Sequence, residues 1–577
     1  MAGTTSTDPH VQAAAEYARG VIRGSVPACR WVKLACKRQV HDLKQARKRD
    51  FPYRFDEAAA ARVCRFVERL PHIKGKWARK LPGGKQPTIT LEPWQCFILT
   101  TIFGWVRKAD GRRRYRQAYI CVPRKNGKSI LAAAIGLYML VADREIGAEV
   151  YSGATSEKQA GEVFEPAFKM VQQTVGLADH YQLETSGTWK NPQAIYSLRS
   201  GSSFKRVIGK PGDGSSPSLA IVDEYHEHKT DDMVDTMLTG MGAREQPLLL
   251  VITTAGSDTA GPCYAYQQDV QSVLEGVISN DELFGIIYSI DEGDDWTSEK
   301  ALRKANPNFG ISVDGDILRA ALRDALANSR YQSRYKTKHL NVWVGARDPF
   351  FNHDQWLQLA DPTLTLAQFA DEECYAGLDL ASKIDIASVA LVFRREVDGN
   401  EHYYVFARHY LPEARALDPD CRHYVGWVAD GALIATGEEM IDHGRIRDDL
   451  LDDAGEYTLV EVGFDPYNAT QLAGELLAEG IAAVEVPMRA RHLSDPMKYL
   501  DGLIRAKRIH HNGDPVLSWM MGNVTAKLDA NDNVFPRKER VENKIDGAVA
   551  LIIAMSRALA GEQNASVYES RGVLYLE

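Results

Sequence analysis

The sequence predicts two successive α/β domains, each built on a largely parallel sheet. Three observations predict this. The chain has 577 residues, well beyond the roughly 250–300 at which a single hydrophobic core stops growing. Short apolar runs alternate with longer amphipathic stretches from about residue 55 to 340 and again from 375 onward, the signature of strands alternating with helices. Between them the turn signals Asp348-Pro349 and Asp361-Pro362 mark a connection.

In chain order, residues 1–50 read as a helical, basic segment with Arg30, Lys33, Lys37, Arg38, Lys44, Arg47, Lys48 and Arg49, either a solvated face or a contact for nucleic acid or a partner. Residues 51–345 form the first α/β domain, with strands expected at Ala118–Val122, Glu149–Gly153, Leu219–Val222 and Leu248–Ile252. Residues 346–372 are the linker and 373–560 the second domain. Its strands are expected at Tyr375–Leu380, Ala387–Phe393, Glu401–Arg408, Leu459–Phe464 and Ala483–Val486, with a long apolar helix over Lys544–Leu559. Residues 561–577 resemble a tail.

Composition is that of a globular protein, 45% hydrophobic and 25% charged, with net charge −8. A passive nucleic-acid coat would usually be basic, but an enzyme that grips nucleic acid locally need not be, so the net charge neither supports nor excludes a DNA substrate. The 8 cysteines include no C-x-x-C pair, which argues against a zinc site and a disulfide scaffold. The longest apolar run, Ile130–Ala142, falls short of the roughly 20 residues that span a bilayer. A soluble, intracellular protein is expected.

The first site is carried by Val122-Pro-Arg-Lys-Asn-Gly-Lys-Ser129, between an expected strand and a helix beginning near Ser129. That is the context of a phosphate loop, in which backbone N–H groups and a helix N-terminus cradle phosphates. Lys128 would meet the β- and γ-phosphates of ATP and the Ser129 hydroxyl would ligate Mg²⁺. Val122 stands where the usual pattern has glycine. An apolar strand then ends in Asp223 and Glu224: Asp223 to hold the Mg²⁺ shell, Glu224 to orient or deprotonate the attacking water. Thr253 and Thr254, at the end of another strand, can sense the γ-phosphate. Gln95, in Leu91-Glu-Pro-Trp-Gln95, can hydrogen-bond the adenine edge. His226 and His228 read as surface histidines rather than metal ligands.

The second site rests on Asp379 inside an apolar strand, Asp465 just after one, and Asp546 at the start of the last helix. A carboxylate in an apolar strand is costly unless paired or metal-bound. Three acids from two strands and a helix can hold two Mg²⁺ or Mn²⁺ ions, the arrangement that cleaves phosphodiesters, and the layout is ribonuclease H-like. The competing reading is three solvated strand-end aspartates. Asp385 would support from outside, while Asp495 and Asp501 are weaker competitors. Lys383, Arg489, Arg491, Lys498, Arg505, Lys507, Arg508, Arg537, Lys538, Arg540 and Lys544 supply basic groups for phosphate contacts.

Together these motifs resemble the large terminase subunit of tailed bacteriophages, in its HK97-like branch, over roughly residues 50–560. Phe51-Pro-Tyr-Arg-Phe55 and Ser152-Gly-Ala-Thr155 add to the likeness. The resemblance implies an N-terminal P-loop ATPase of the additional-strand (ASCE) type that drives double-stranded viral DNA into a procapsid. It also implies a C-terminal ribonuclease H-like endonuclease that cuts concatemeric DNA when packaging starts and ends. It gives the ATP site to Arg124, Lys125, Asn126, Gly127, Lys128, Ser129, Asp223 and Glu224, with Gln95 at the adenine and Thr253 and Thr254 in the coupling motif. Asp379, Asp465 and Asp546 become the nuclease acids. Implied partners are viral DNA, a small terminase subunit and the portal protein, with a pentamer on the portal and an isolated chain that can be monomeric. The implied place is the host cytoplasm, transiently at the portal, outside the mature virion and any membrane. The arginine that completes a neighbour's ATP site is not assigned; Arg144 and Arg244 are candidates. Rival readings are a helicase-like ATPase whose second domain does not cut, and a portal adaptor that binds ATP without turnover. A transposase-type enzyme would share the three acids but needs no phosphate loop.

Overall fold

The computed structural model describes residues 7–569 except 82–83, 85, 210–211, 213, 260, 328, 346–348, 381–384, 417–421, 529–532 and 540–542. Two compact units divide the chain: residues 1–327 with 335–343, and residues 328–334 with 344–577.

In the first unit, β1 (Tyr53–Phe55) and β2 (Trp105–Arg107) form a small antiparallel ribbon. The main sheet has eight strands: β3 (Gln117–Cys121), β4 (Glu149–Ala154), β5 (Leu183–Gly187), β6 (Pro192–Ser197), β7 (Ser202–Ile208), β8 (Leu219–Asp223), β9 (Leu248–Thr253) and β10 (Leu283–Ile287). Their order is β10-β3-β9-β8-β4-β7-β6-β5. The six strands from β10 to β7 run parallel, and β6 and β5 continue as an antiparallel meander. Strand β9 is inserted between β3 and β8, which is the additional-strand arrangement.

The apolar run at Ile130–Ala142 belongs to the helix Lys128–Val141 that follows β3, and Leu131 through Leu140 are buried in it. A helix apolar on every side is one enclosed by its neighbours, here the sheet below and the helices Glu57–Val67 and Glu157–Gln173. The N-terminal helices Pro9–Arg23 and Arg30–Gln45 join the same core through Tyr17, Val21, Val32 and Cys36. Part of their basic character is structural. The Arg38 guanidinium donates to the carbonyls of Leu283 and Asn280, and buried Arg114 pairs with Asp42 at 2.7 Å.

The second unit is built on β11 (Glu373–Asp379), β12 (Ala387–Val397), β13 (Asn400–Leu411), β14 (Ile434–Ala435), β15 (Thr458–Phe464), β16 (Ala483–Glu485) and β17 (Ile509–His511). The order is β14-β13-β12-β11-β15-β16, with β17 also on β13. The hairpin strands β11, β12 and β13 are antiparallel, while β15 joins β11 in parallel. A separate hairpin pairs β18 (Val524–Leu528) with β19 (Val534–Lys538). One face of the sheet carries the C-terminal helix Asp546–Glu569, and the other the helices His443–Glu456 and Pro466–Ala478.

The stretch expected as a linker is not free chain over 350–372. It contains the helix His353–Gln358, whose Trp356 is fully buried and stacks on His511 with ring centroids 4.1 Å apart. Phe351 and Phe369 are fully buried as well. The turn signals of this stretch are real, but its aromatics belong to the second unit's core. Likewise the final helix runs on to Glu569, into the stretch read as a tail.

Gly377 shows how tightly the C-terminal helix lies on β11. A Cβ there would meet the Ala550 carbonyl oxygen at 2.1 Å and the Ala554 nitrogen at 2.5 Å. Both neighbours are helix backbone and cannot swing aside. Gly377→Ala is therefore expected to destabilise the second unit by roughly 3 kcal/mol or more, as overpacking does. DNA cleavage should fall while ATP turnover in the same preparation stays near wild type. Unchanged cleavage and melting would show that the helix has room to retreat.

Candidate active sites

The first candidate site lies where β3, β9 and β8 end side by side. Cys121 of β3 pairs in register with Thr253 of β9, and Ile252 with Asp223 of β8. The Val122 N–H continues the alignment by donating to the Thr253 carbonyl at 3.1 Å. Carboxyl ends of parallel strands are where open α/β sheets place ligands. The loop beyond β3 curls through left-handed Lys125 (φ 70°) and Gly127 (φ 83°), the kind of turn that points backbone N–H groups into one concavity. The helix starting at Lys128 has no side-chain cap, so its first N–H groups are left for a ligand, as a phosphate would need. Lys128 is buried and Ser129 half-buried, while Arg124 and Lys125 are exposed. Gln95 lies beside the loop, its amide nitrogen 3.7 Å from where a Gly127 Cβ would stand. Its oxygen accepts from the Glu92 N–H at 3.0 Å, while its amide nitrogen is turned toward the loop.

Lys128 Nζ stands 2.9 Å from Glu224 Oε1, an ion pair inside the site. Glu224 has a left-handed backbone, φ 49°, a conformation that non-glycine residues adopt at some cost and often at functional sites. Burial pushes the Glu224 carboxyl up, but Lys128 and then His226 outweigh it and hold it below the usual range. Asp223 is pushed the other way, to about 7, by burial and by the neighbouring Glu224. Adjacent carboxyls are thus pushed in opposite directions, Glu224 down and Asp223 up.

The pattern H-x-H misled. His226 and His228 are buried. The short turn Tyr225–Glu227 folds His226 back under β9, where its N–H donates to Thr253 Oγ1 at 3.1 Å and its Nδ1 lies 3.2 Å from the same oxygen. Thr253 and Thr254 are fully buried. The phosphate loop is also braced by residues that carry no local signal. The Asn126 amide donates to Asn306 Oδ1 at 3.0 Å and accepts from the Asn308 N–H at 3.0 Å. Trp94 Nε1 donates to Asn308 Oδ1 at 2.7 Å, and Ser312 Oγ donates to the Lys125 carbonyl at 2.6 Å. Arg244 is engaged by Glu145 and Glu149. Arg144 is exposed on a left-handed backbone, φ 68°.

Asn341 joins three strand ends. Its Oδ1 accepts from the Ala255 N–H at 2.6 Å, and its Nδ2 donates to the Tyr288 carbonyl at 2.7 Å and meets Cys121 Sγ at 3.1 Å. It follows a π-helical turn, Lys336–Leu340, whose Lys338 carbonyl accepts from the Arg124 N–H at 3.3 Å. Asn341→Ala leaves a buried N–H and a buried carbonyl without partners, each costing about 1–3 kcal/mol. The expected loss is roughly 2–4 kcal/mol of first-unit stability in urea unfolding. A loss below 1 kcal/mol would mean that water replaces the amide.

The second candidate site lies at the ends of β11 and β15. Leu378 pairs with Phe464, so Asp379 and the following Asp465 stand on adjacent parallel strands. Asp546 opens the C-terminal helix on the face where Gly377, two residues before Asp379, admits that helix. Burial, and then the charges of Asp546 and Asp465, push Asp379 well above the usual carboxylate range. Asp546 is pushed up to about 6 by burial and then by Asp385, and its Oδ2 has no hydrogen-bond partner among the described residues. Asp385 itself pairs with Lys544. Among the described residues no three His, Cys, Asp or Glu side chains are gathered at ligating separation. The acids repel one another as they stand, and a hard, oxygen-seeking divalent cation is the group that would draw them together. Of their competitors, Asp501 is taken by Arg505 at 2.9 Å and Asp495 is exposed. The charge of Lys538 counters the upward push on Asp379 and Asp546; Lys383 and Arg540 lie outside the described residues.

A residue not singled out in the sequence adjoins this site. Across the sheet Asp379 pairs with Ser388, and Ser388 with His409. His409 is fully buried, with Nδ1 2.8 Å from Ser388 Oγ and Nε2 3.4 Å from Asp514 Oδ1. Among the described residues no helix is long and apolar enough to cross a membrane.

A model of the terminase large subunit ATPase domain matches residues 93–272, and one of the terminase large subunit endonuclease domain matches residues 277–562. The endonuclease match starts ahead of β10, a strand that pairs with β3 in the first unit's sheet. Protein YmfN of Escherichia coli (strain K12) is 43% identical over 380 residues, 64% of this chain and 84% of that relative. The terminase large subunit of Enterobacteria phage HK97 is 27% identical over 526 residues, 89% of this chain and 97% of its own. Among solved structures, the HK97 bacteriophage large terminase aligns with 24% identity over 86% of this chain and 99% of that one, at a TM-score of 0.42.

Proposed function

This chain belongs to the terminase large subunit family, an ATPase and DNA endonuclease of viral genome packaging, and on that premise we propose how its residues divide the work. The observation that carries the reading is the alignment of Val122, Thr253 and Asp223 at three adjacent strand ends. That row supports reading the 124–129 loop as the phosphate loop, Thr253 as the γ-phosphate sensor and Asp223 and Glu224 as the hydrolytic carboxylates.

In the motor, the N–H groups of the 124–129 loop and Lys128 bind the β- and γ-phosphates. Arg124 adds positive charge at the same mouth, and Gln95 approaches the nucleotide through its amide nitrogen. Ser129 and Asp223 hold the Mg²⁺ that accompanies ATP, and Glu224 takes the proton of the attacking water. Thr253 and Thr254 report the phosphate to the rest of the sheet. In the nuclease, Asp379, Asp465 and Asp546 hold two Mg²⁺ or Mn²⁺ ions, which when bound activate water and neutralise charge on the cleaved phosphate. Asp385 fixes Lys544 beside them. The substrate is double-stranded viral DNA, cut from its concatemer as packaging starts and ends. The partners are the small terminase subunit and the portal, on which the chain works as a pentamer in the host cytoplasm.

Purified chain is expected to relax and linearise plasmid in Mn²⁺ and to release phosphate from ATP. Lys128→Ala should abolish the second activity and leave the first. A wild-type chain that hydrolyses ATP but never cuts, even with small subunit and portal added, would move the reading to a helicase-like motor.

A further inference from the structure

Glu224 has two close neighbours, and a nucleotide competes for one of them. Its Oε1 lies 2.9 Å from Lys128 Nζ, and its Oε2 lies 3.2 Å from Nδ1 of His226. We propose that His226 is a positioning residue for ATP hydrolysis: it holds Glu224 in place once the nucleotide phosphates draw Lys128 away. The proposal rests on the assignment of Glu224 as the group that takes the proton from water.

The argument is one of competing charges. Without nucleotide, Lys128 and Glu224 neutralise each other in a buried place, where an unpaired charge is costly. A triphosphate brings more negative charge than one carboxylate, so Lys128 turns to the phosphates. Glu224 then loses a partner at the moment its direction matters, because a general base must stay within hydrogen-bond reach of the proton it takes. The backbone alone cannot secure it, since φ 49° is a conformation the surroundings must hold. His226 remains, and its ring is itself fixed from three sides. Its Nδ1 lies 3.2 Å from Thr253 Oγ1 and 3.5 Å from Thr254 Oγ1, and its Nε2 lies 3.3 Å from Glu227 Oε1. The imidazole thus spans from the carboxylate to the strand-end threonines, so a shift of the threonines on phosphate binding moves the ring that aims Glu224.

Full-length chain with His226→Leu, His226→Asn and His226→Gln tests this by steady-state ATP turnover and by binding of a fluorescent ATP analogue. The asparagine amide nitrogen falls near the position of Nδ1, facing Glu224; that of glutamine falls near Nε2, facing Glu227. The expected result is a kcat loss of about 10–100-fold for Leu and Gln, typical of removing a group that orients a catalytic one, with KM and analogue affinity within about twofold and most of the rate restored by Asn. Equal losses in Asn and Gln, or a loss that follows analogue affinity, overturn the proposal in favour of a packing role. So does wild-type turnover in Gln. If Leu fails to fold, the contrast between Asn and Gln decides alone. Glu224→Gln, run beside them, separates the two claims. If it keeps wild-type turnover, the assignment of Glu224 falls; if it is inactive while His226→Gln is normal, only the role of His226 falls.

Discussion

Asp546→Asn is expected to end metal-dependent DNA cleavage and, in the same protein, to raise the melting temperature of the metal-free second unit at pH 8. The first effect follows from removing one of the three carboxylates proposed to hold the cations. Losing several kcal/mol of transition-state stabilisation lowers cleavage by about a thousandfold or more. The second follows from the price of keeping that carboxylate. Its folded value is about 6 against an ordinary value near 3.8, so between these pH values the folded chain binds more protons than the unfolded one. Stability then falls as pH rises through that window. The deficit is complete above about pH 6 and absent below about pH 4, and a window about two pH units wide corresponds to roughly 3 kcal/mol. Asparagine escapes it, giving back about 0.3–1 kcal/mol of the favourable interaction between a negative charge and a helix N-terminus. A net gain near 2 kcal/mol moves the midpoint by about 5 °C. Calorimetry in chelator at pH 8 and pH 4 checks it: a gain confined to pH 8 supports the account, and an equal gain at both pH values would place the effect in packing instead of charge.

Glu224→Gln should lower ATP turnover by about 10²–10⁴-fold, the usual worth of a general base, and at the same time tighten nucleotide binding. The two effects have separate causes. A neutral amide cannot take a proton from water, and it also releases Lys128 from a competitor, leaving the lysine's charge for the phosphates. Phosphate release and titration with a fluorescent ATP analogue measure the two effects separately. Turnover within tenfold of wild type would remove Glu224 from the chemistry; weakened binding would mean that the ion pair shapes the loop and does not compete with the ligand.

Much of this was readable because it is local. A strand, a glycine-containing turn and a helix lie in unbroken succession around Lys128, and Asp223, Asp379 and Asp465 each terminate an apolar strand within one or two residues. What escaped was non-local or polar. The meander of β5, β6 and β7 is rich in serine and threonine and lies at a sheet edge, so it lacks the apolar runs that betrayed the central strands. The bracing of Asn126 by Asn306 and Asn308, and of Ala255 by Asn341, joins residues far apart in sequence through side-chain amides, and no periodicity records such pairs. His226 looked exposed because it stands among charged neighbours; the left-handed bend at Glu224 turns it inward. Residues 350–372 looked like a linker because turn residues were weighed above Phe351, Trp356 and Phe369, the side chains that fix the segment in a core.

Asn341 has a consequence for mechanics. Beyond it the Val342 N–H donates to the Lys336 carbonyl at 3.1 Å and the Trp343 indole N–H donates to Gln267 Oε1 at 3.1 Å, before the chain passes to the second unit at Val344. Tension arriving along the backbone from residue 344 would load the Trp343 bond and then the amide of Asn341, and through it the ends of β3, β9 and β10. Those ends carry the loop and the threonines. A pull on the exit of the first unit would thereby reach the strand ends to which the ATP site is assigned.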